Sequence, residues 1–271
     1  MQCESTIKTY DYNFNKYKDI GDIKNPNSFF KKLINLKNTK NGKDISISTI
    51  KIILCSIIYN LKKEKGMEDI LFQYSLLLNK TRNIAEKKER NHSIIHNFIP
   101  DWNDIIKIRN QQREGSKKYL ILSLYTEIVP RREKDYVLLK YINKNNETID
   151  PLFNYYIKDD GILVFNNYKT KKTFKRQIVD LNNNKLKEII NKYISDNNIM
   201  EGELILNYSS YASLHYILNK LLNCGGVDNI RHSYINNYYK DYKIPPSQII
   251  EDLSRQMGHS MQTHLRYRKY S

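Results

Sequence analysis

Two segments in the last third of the chain carry the reading of the fold: Ile230-Arg231-His232-Ser233-Tyr234 and Gln256-Met257-Gly258-His259-Ser260. A tyrosine, Tyr267, follows His259 by eight residues. A planar guanidinium holds two non-bridging phosphate oxygens at once. A histidine exchanges protons near neutral pH. A tyrosine hydroxyl becomes a nucleophile when cations and a base surround it. Singly, each residue has an ordinary explanation. A lone arginine makes an ion pair, a histidine after glycine is structural, and 22 tyrosines make any one of them weak support. Their order and spacing set these three apart.

Arg231-His232-Ser233-Tyr234, Met257-Gly258-His259-Ser260 and Tyr267 together resemble the catalytic domain of tyrosine recombinases, the phage-integrase family. In that family an Arg-His-Ser box opens an active-site helix, and a Gly-His-Ser segment precedes the tyrosine by eight or nine positions. The resemblance makes Tyr267 the nucleophile, with Tyr270 as the second choice. Arg231 and His259 become phosphate ligands, and His259 assists proton transfer. A first arginine box is matched by Tyr125-Thr126-Glu127-Ile128-Val129-Pro130-Arg131-Arg132-Glu133-Lys134-Asp135-Tyr136, where Arg132 has an acid three residues on at Asp135. Arg131 is the alternative, and otherwise a DNA contact, as is His232. That wording is closer to recombinase-like proteins of large DNA viruses and their mobile elements than to bacterial chromosome-dimer resolvases. The family also places a general-acid lysine on a β-hairpin. The turn Tyr168-Lys169-Thr170-Lys171-Lys172-Thr173 lies between two strand-like runs and makes Lys169 that candidate, with Lys171 and Lys172 as alternatives or phosphate contacts. One position departs from the pattern: Asp228 stands where the family has His or Lys, and an ionised carboxylate cannot donate to phosphate.

Upstream of these boxes the pattern splits into two regions. Residues 1–24 lack clean periodicity and read as an N-terminal arm. Ile50, Ile53, Leu54, Ile57, Ile58 and Leu61 recur at helical spacing, with Ser46 or Ser48 placed to cap. With Phe29, Phe30, Leu33 and the apolar run 70–78 they predict a helical domain over 25–95, which the resemblance identifies with a core-binding DNA-binding domain. Residues 91–104, with Pro100, read as the linker. Strand character at 136–142, 162–165 and 174–181, between helical stretches, predicts a second domain over 105–271. The fold class expected is mainly α with a small antiparallel β-sheet, an α+β chain.

Composition bounds the partners. The 271 residues carry a net charge of +16, which favours a polyanion and above all nucleic acid. Richness in Ile, Asn, Lys and Tyr matches the bias of an A·T-rich genome, which accounts for part of that charge. Forty per cent hydrophobic residues suffice for a core. No apolar run is long enough to span a bilayer, and residues 1–21 lack the features of a signal peptide. Cys3, Cys55 and Cys224 are few and far apart, as in a reducing compartment. No Gly-rich phosphate loop, metal-spaced cluster or Gly-x-Ser-x-Gly elbow occurs. The expectation is a site-specific recombinase or integrase of a virus or mobile element. It would need no metal or cofactor, act on double-stranded DNA, assemble as a tetramer on two duplexes, and work in a host's cytoplasmic viral factory or nucleus. A type IB topoisomerase and an inactive DNA-binding relative are the alternatives.

Overall fold

A computed structural model describes residues 4–37, 42–95, 99–144, 149–208, 210–223, 226–242 and 245–267. The chain divides into two compact units, 1–97 and 98–271.

The first unit is helical: α1 (Glu4–Tyr17), a 3₁₀ turn (Lys18–Ile20), α2 (Pro26–Ile34), α3 (Ile47–Leu61) and α4 (Glu68–Ile95). Asn25 and Ser46 cap α2 and α3 by accepting from the backbone N–H groups of Ser28 and Thr49. The i, i+3, i+4 stripe of α3 buries Ile50, Ile53, Leu54, Ile57 and Leu61 against Phe29, Leu33, Tyr74 and Leu78. The expected arm is corrected here. Residues 4–17 form a helix whose Phe14 and Tyr17 pack on this core, and Tyr10 meets Tyr59 at 5.5 Å between ring centroids. Its aromatic residues alternate with Lys, Asp and Asn, so its weak apolar stripe is invisible as periodicity.

The second unit contains α5 (Trp102–Asn110), α6 (Lys117–Thr126), α7 (Glu133–Val137), β1 (Leu139–Ile142), β2 (Asn154–Ile157), β3 (Ile162–Phe165), α8 (Lys171–Phe174), β4 (Gln177–Asp180) and α9 (Lys185–Asp196). Then come α10 (Tyr211–Leu222), α11 (Val227–Tyr238), α12 (Ser247–Gln256) and α13 (Met261–Tyr267). Helices predominate, with one four-stranded sheet of order β1-β2-β3-β4. The α+β class is as expected, but the sheet is mixed rather than antiparallel, because β1 and β2 run parallel. A parallel pair requires the connection between its strands to return to the same end. On its other side β1 is held by the segment 203–205, through Tyr141 N–H to the Glu203 carbonyl and Ile205 N–H to the Leu139 carbonyl.

The strand expected over 136–142 begins only at Leu139, because Tyr136 and Val137 belong to α7, where the Tyr136 hydroxyl donates to the Leu124 carbonyl at 2.8 Å. Strand β2 has every residue buried, so it lacks the period-2 alternation that reveals a strand. Phe174 ends α8, and residues 175–176 lead into β4 instead of belonging to it.

Candidate active site

The C-terminal ends of the two sequence boxes converge because of one glycine. Helix α12 ends at Gln256, and Gly258 takes a left-handed φ of 65° that terminates it and turns the chain inward. His259 is thereby buried beside Arg231 on α11. The Gly258 carbonyl, freed by the turn, accepts from Arg132 Nη1 at 2.5 Å and from Thr170 Oγ1 at 2.8 Å. A single backbone oxygen thus joins the first arginine box, the lysine-bearing turn and the histidine segment.

Arg231 is fully buried, at 0% exposure. Its Nη2 donates to the Met257 carbonyl at 3.3 Å and to His259 Nδ1. Its Nε and Nη1 are buried with no hydrogen-bond partner. Burial pushes its pKa down, but a guanidinium stays charged in any protein setting. Two unmet donors on a buried cation leave a strong demand for an anion. The ring of Tyr267 faces this cation, its centroid 5.3 Å from the guanidinium carbon.

Arginine only donates, so its bond to His259 sets the direction of a whole chain. His259 Nδ1 accepts. His259 Nε2 therefore carries the proton and donates to His264 Nδ1 at 2.9 Å, and His264 Nε2 donates to the Tyr239 hydroxyl at 3.0 Å. Both imidazoles are neutral. Burial and then Arg231 lower the pKa of His259 to about 2 and of His264 to about 4. Both ring nitrogens of His259 face protein groups here, so it orients Arg231 where the resemblance gave it a phosphate contact. His264, buried and central, escapes a sequence reading because it lies between motif positions.

Neutral buried histidines make the unit acid-labile. Their unfolded-state pKa is about 6.5, above the folded values, so the unfolded state binds more protons as pH falls. The stability is whole above pH 6.5 and declines as pH drops toward 4, by roughly 3 kcal/mol for His264 alone. Thermal melts of the wild type should show that loss between pH 7 and 4. The His264→Gln variant, whose amide can accept from His259 and donate to Tyr239, should show a flatter profile.

Tyr267 is partly buried, stacked on His259 at 5.3 Å and 21° and edge-on to His232 at 4.4 Å. Its hydroxyl donates to Asp228 Oδ1 at 2.8 Å. Burial raises its pKa to about 12, against the pull of Arg231 and with a further push from Asp228. His232 Nδ1 donates to the Tyr267 carbonyl at 2.7 Å, so this residue holds the tyrosine helix where the sequence reading gave it to DNA. Tyr270 lies outside the described residues.

The two neighbouring arginines take different partners. The motif places Arg132 three residues before an acid, and it is Arg131 Nε that donates to that acid, Asp135 Oδ2, at 2.9 Å. Arg131 is 1% exposed and also gives Nη1 to Gln177 Oε1 at 2.6 Å and to the Gln256 carbonyl at 2.7 Å. Its guanidinium lies on Phe165 at 4.0 Å and Tyr168 at 4.9 Å. The expected DNA contact at Arg131 is therefore a buried brace. Arg132 precedes α7, is half-buried, and lies near enough to lower the pKa values of Arg231, His259 and Tyr267.

The basic turn sits between β3 and β4, which pair antiparallel. Lys169 is exposed beside the docked Thr170, and Lys171 and Lys172 are exposed on the short α8. Buried Asn154 pins the turn. Its Nδ2 donates to the Asp135 carbonyl at 2.7 Å, and its Oδ1 accepts from the backbone of Asn166 and Asn167 at 2.8 Å. Among the described residues no group of three His, Cys, Asp or Glu side chains is placed to share a metal ion.

No protein-family model, curated protein or solved structure matches this chain. The chemistry of the site therefore rests on its own geometry. Arg231 lies by the ring of Tyr267, Arg132 is near enough to lower that tyrosine's pKa, and the basic turn reaches Gly258 through Thr170. No helix among the described residues is long and apolar enough to cross a membrane.

Proposed function

We propose that this chain breaks and rejoins double-stranded DNA through a phosphotyrosyl bond at Tyr267, as a recombinase or integrase of a virus or other mobile element. The observation that carries the reading is Arg231: a buried cation with two unpartnered donors, under the ring of a tyrosine. A phosphodiester would meet those donors once the Tyr267 ring tilts off Arg231 with its hydroxyl kept on Asp228, and Arg132 would add a second positive charge. Tyr267 then attacks phosphorus and forms a 3′-phosphotyrosyl bond, while Lys169 protonates the departing 5′ oxygen. A 5′ hydroxyl from a partner strand reverses the step. Phosphotyrosine conserves the bond energy, so the cycle requires neither nucleotide nor metal. The net charge of +16 suits the polyanion, and exchange between two duplexes calls for four protomers on DNA.

Covalent trapping tests this. Incubation with nicked, randomised A·T-rich duplexes, followed by denaturation, should leave DNA attached to the wild type and none attached to Tyr267→Phe. An adduct that persists in Tyr267→Phe moves the nucleophile, with Tyr270→Phe the next variant to try. Plasmid relaxation without site dependence turns the reading to a topoisomerase. Tight, salt-sensitive binding with no adduct turns it to a DNA-binding protein without strand chemistry.

A further inference from the structure

We infer that Asp228 is the proton acceptor for Tyr267, taking the phenolic proton as the tyrosine attacks phosphorus. The inference rests on the function proposed above. It starts from the hydrogen bond of 2.8 Å from the Tyr267 hydroxyl to Asp228 Oδ1. The geometry for proton transfer is already that of a base and its substrate, since the heavy atoms are within direct reach. No other described side chain accepts from that hydroxyl. His259, the usual suspect for proton work by chemistry alone, has both nitrogens engaged with Arg231 and His264.

The backbone explains why a carboxylate can occupy this place. Asp228 sits in the first turn of α11, two residues after the N-cap Gly226, which takes a φ of 75° to start the helix. Unpaired N–H groups at a helix start favour a negative charge there. Asp228 is solvent-exposed. Arg231, one helical turn on, lies over the ring of Tyr267.

The step balances. The phenolic O–H bond breaks as the Tyr267 oxygen bonds to phosphorus, and its proton goes to the Asp228 carboxylate. The P–O5′ bond breaks with its electron pair on the 5′ oxygen, which takes a proton from Lys169. Asp228 becomes neutral in the transition state, just when charge builds on the phosphorus oxygens. A carboxylate that repels the bound phosphate in the ground state thus stops repelling it as the reaction proceeds, which is a contribution made only in the transition state. On rejoining, Asp228 returns the proton to the departing tyrosine.

Single-turnover adduct formation on a nicked duplex separates this role from its competitors. Asp228→Asn should keep DNA affinity equal to or tighter than wild type and slow adduct formation about 10²–10⁴-fold, the range of a general base. Asp228→Glu should recover part of that loss, which also shows that the fold survives change at this position. The decisive arm uses DNA with sulfur in place of the bridging 5′ oxygen, whose thiolate leaves without a proton. That substrate should rescue Lys169→Ala and should not rescue Asp228→Asn. An Asp228→Asn protein that reacts at the wild-type rate or faster overturns the inference and makes the bond a latch on the tyrosine. Rescue of Asp228→Asn by the sulfur substrate overturns it too. Absence of any adduct with wild type defeats the proposed function itself, an outcome distinct from either.

Discussion

Replacing Arg231 with alanine should lower the rate of Tyr267 adduct formation by about 10²–10³-fold, roughly 3–4 kcal/mol of transition-state stabilisation. The figure is that for losing one pre-aimed donor group at a site of developing charge. Arg231 fits that description because its Nε and Nη1 are buried and have no protein partner. A cation held in this way needs no reorganisation when phosphorus becomes pentavalent, and its surroundings exclude competing water. Arg231→Lys should recover only part of the loss, since an ammonium keeps the charge but cannot present the planar fork. Single-turnover trapping on nicked duplexes reads both variants. The effect should fall on the rate at saturating DNA more than on affinity, because the many lysines and arginines elsewhere dominate binding. Arg231→Ala reacting at the wild-type rate would remove Arg231 from the phosphate.

Arg131→Ala should destabilise the second unit by about 3–5 kcal/mol, although the sequence pattern marks Arg131 as a DNA contact. The reason is Asp135. Its carboxyl is buried, and burial pushes its pKa up against the attraction of Arg131. The pair is thus a poor stabiliser compared with apolar groups of the same size, yet removal of one partner strands the other in a low-dielectric interior. Alanine at 131 also frees the Gln256 carbonyl and Gln177 Oε1, both of which now accept from the guanidinium. Urea unfolding should show the midpoint fall with the slope unchanged. The double variant Arg131→Met with Asp135→Leu should lose less than Arg131→Ala alone. A surface contact to DNA, as the sequence reading had it, would instead leave the midpoint unmoved.

These two neighbours show where sequence reading stops. Spacing located a basic box before an acid, and both features are present. Which arginine turns inward depends on the chain entering α7. Arg131 lies before the helix in reach of Asp135 and the sheet, whereas Arg132 at its start is aimed toward Gly258. A shift of one residue about a helix start redirects a side chain by a large angle, and no one-dimensional pattern records it. His264 and Asn154 are similar. Each gains its role from groups distant in the chain, the former from His259 and Tyr239, the latter from Asn166 and Asn167.

The amino-acid order alone determined the helical first unit, the helix–sheet character of the second, and the box residues worth testing. Apolar spacing and capping residues act locally, so they are legible in sequence, as the buried stripe of α3 and its Ser46 cap illustrate. Tertiary structure decided the parallel β1–β2 pairing, the inward turn of Arg131, the histidine chain and the bond from Tyr267 to Asp228. Each of those depends on burial and on hydrogen-bond partners brought together by the fold, and a buried polar group takes whatever partner the packing supplies.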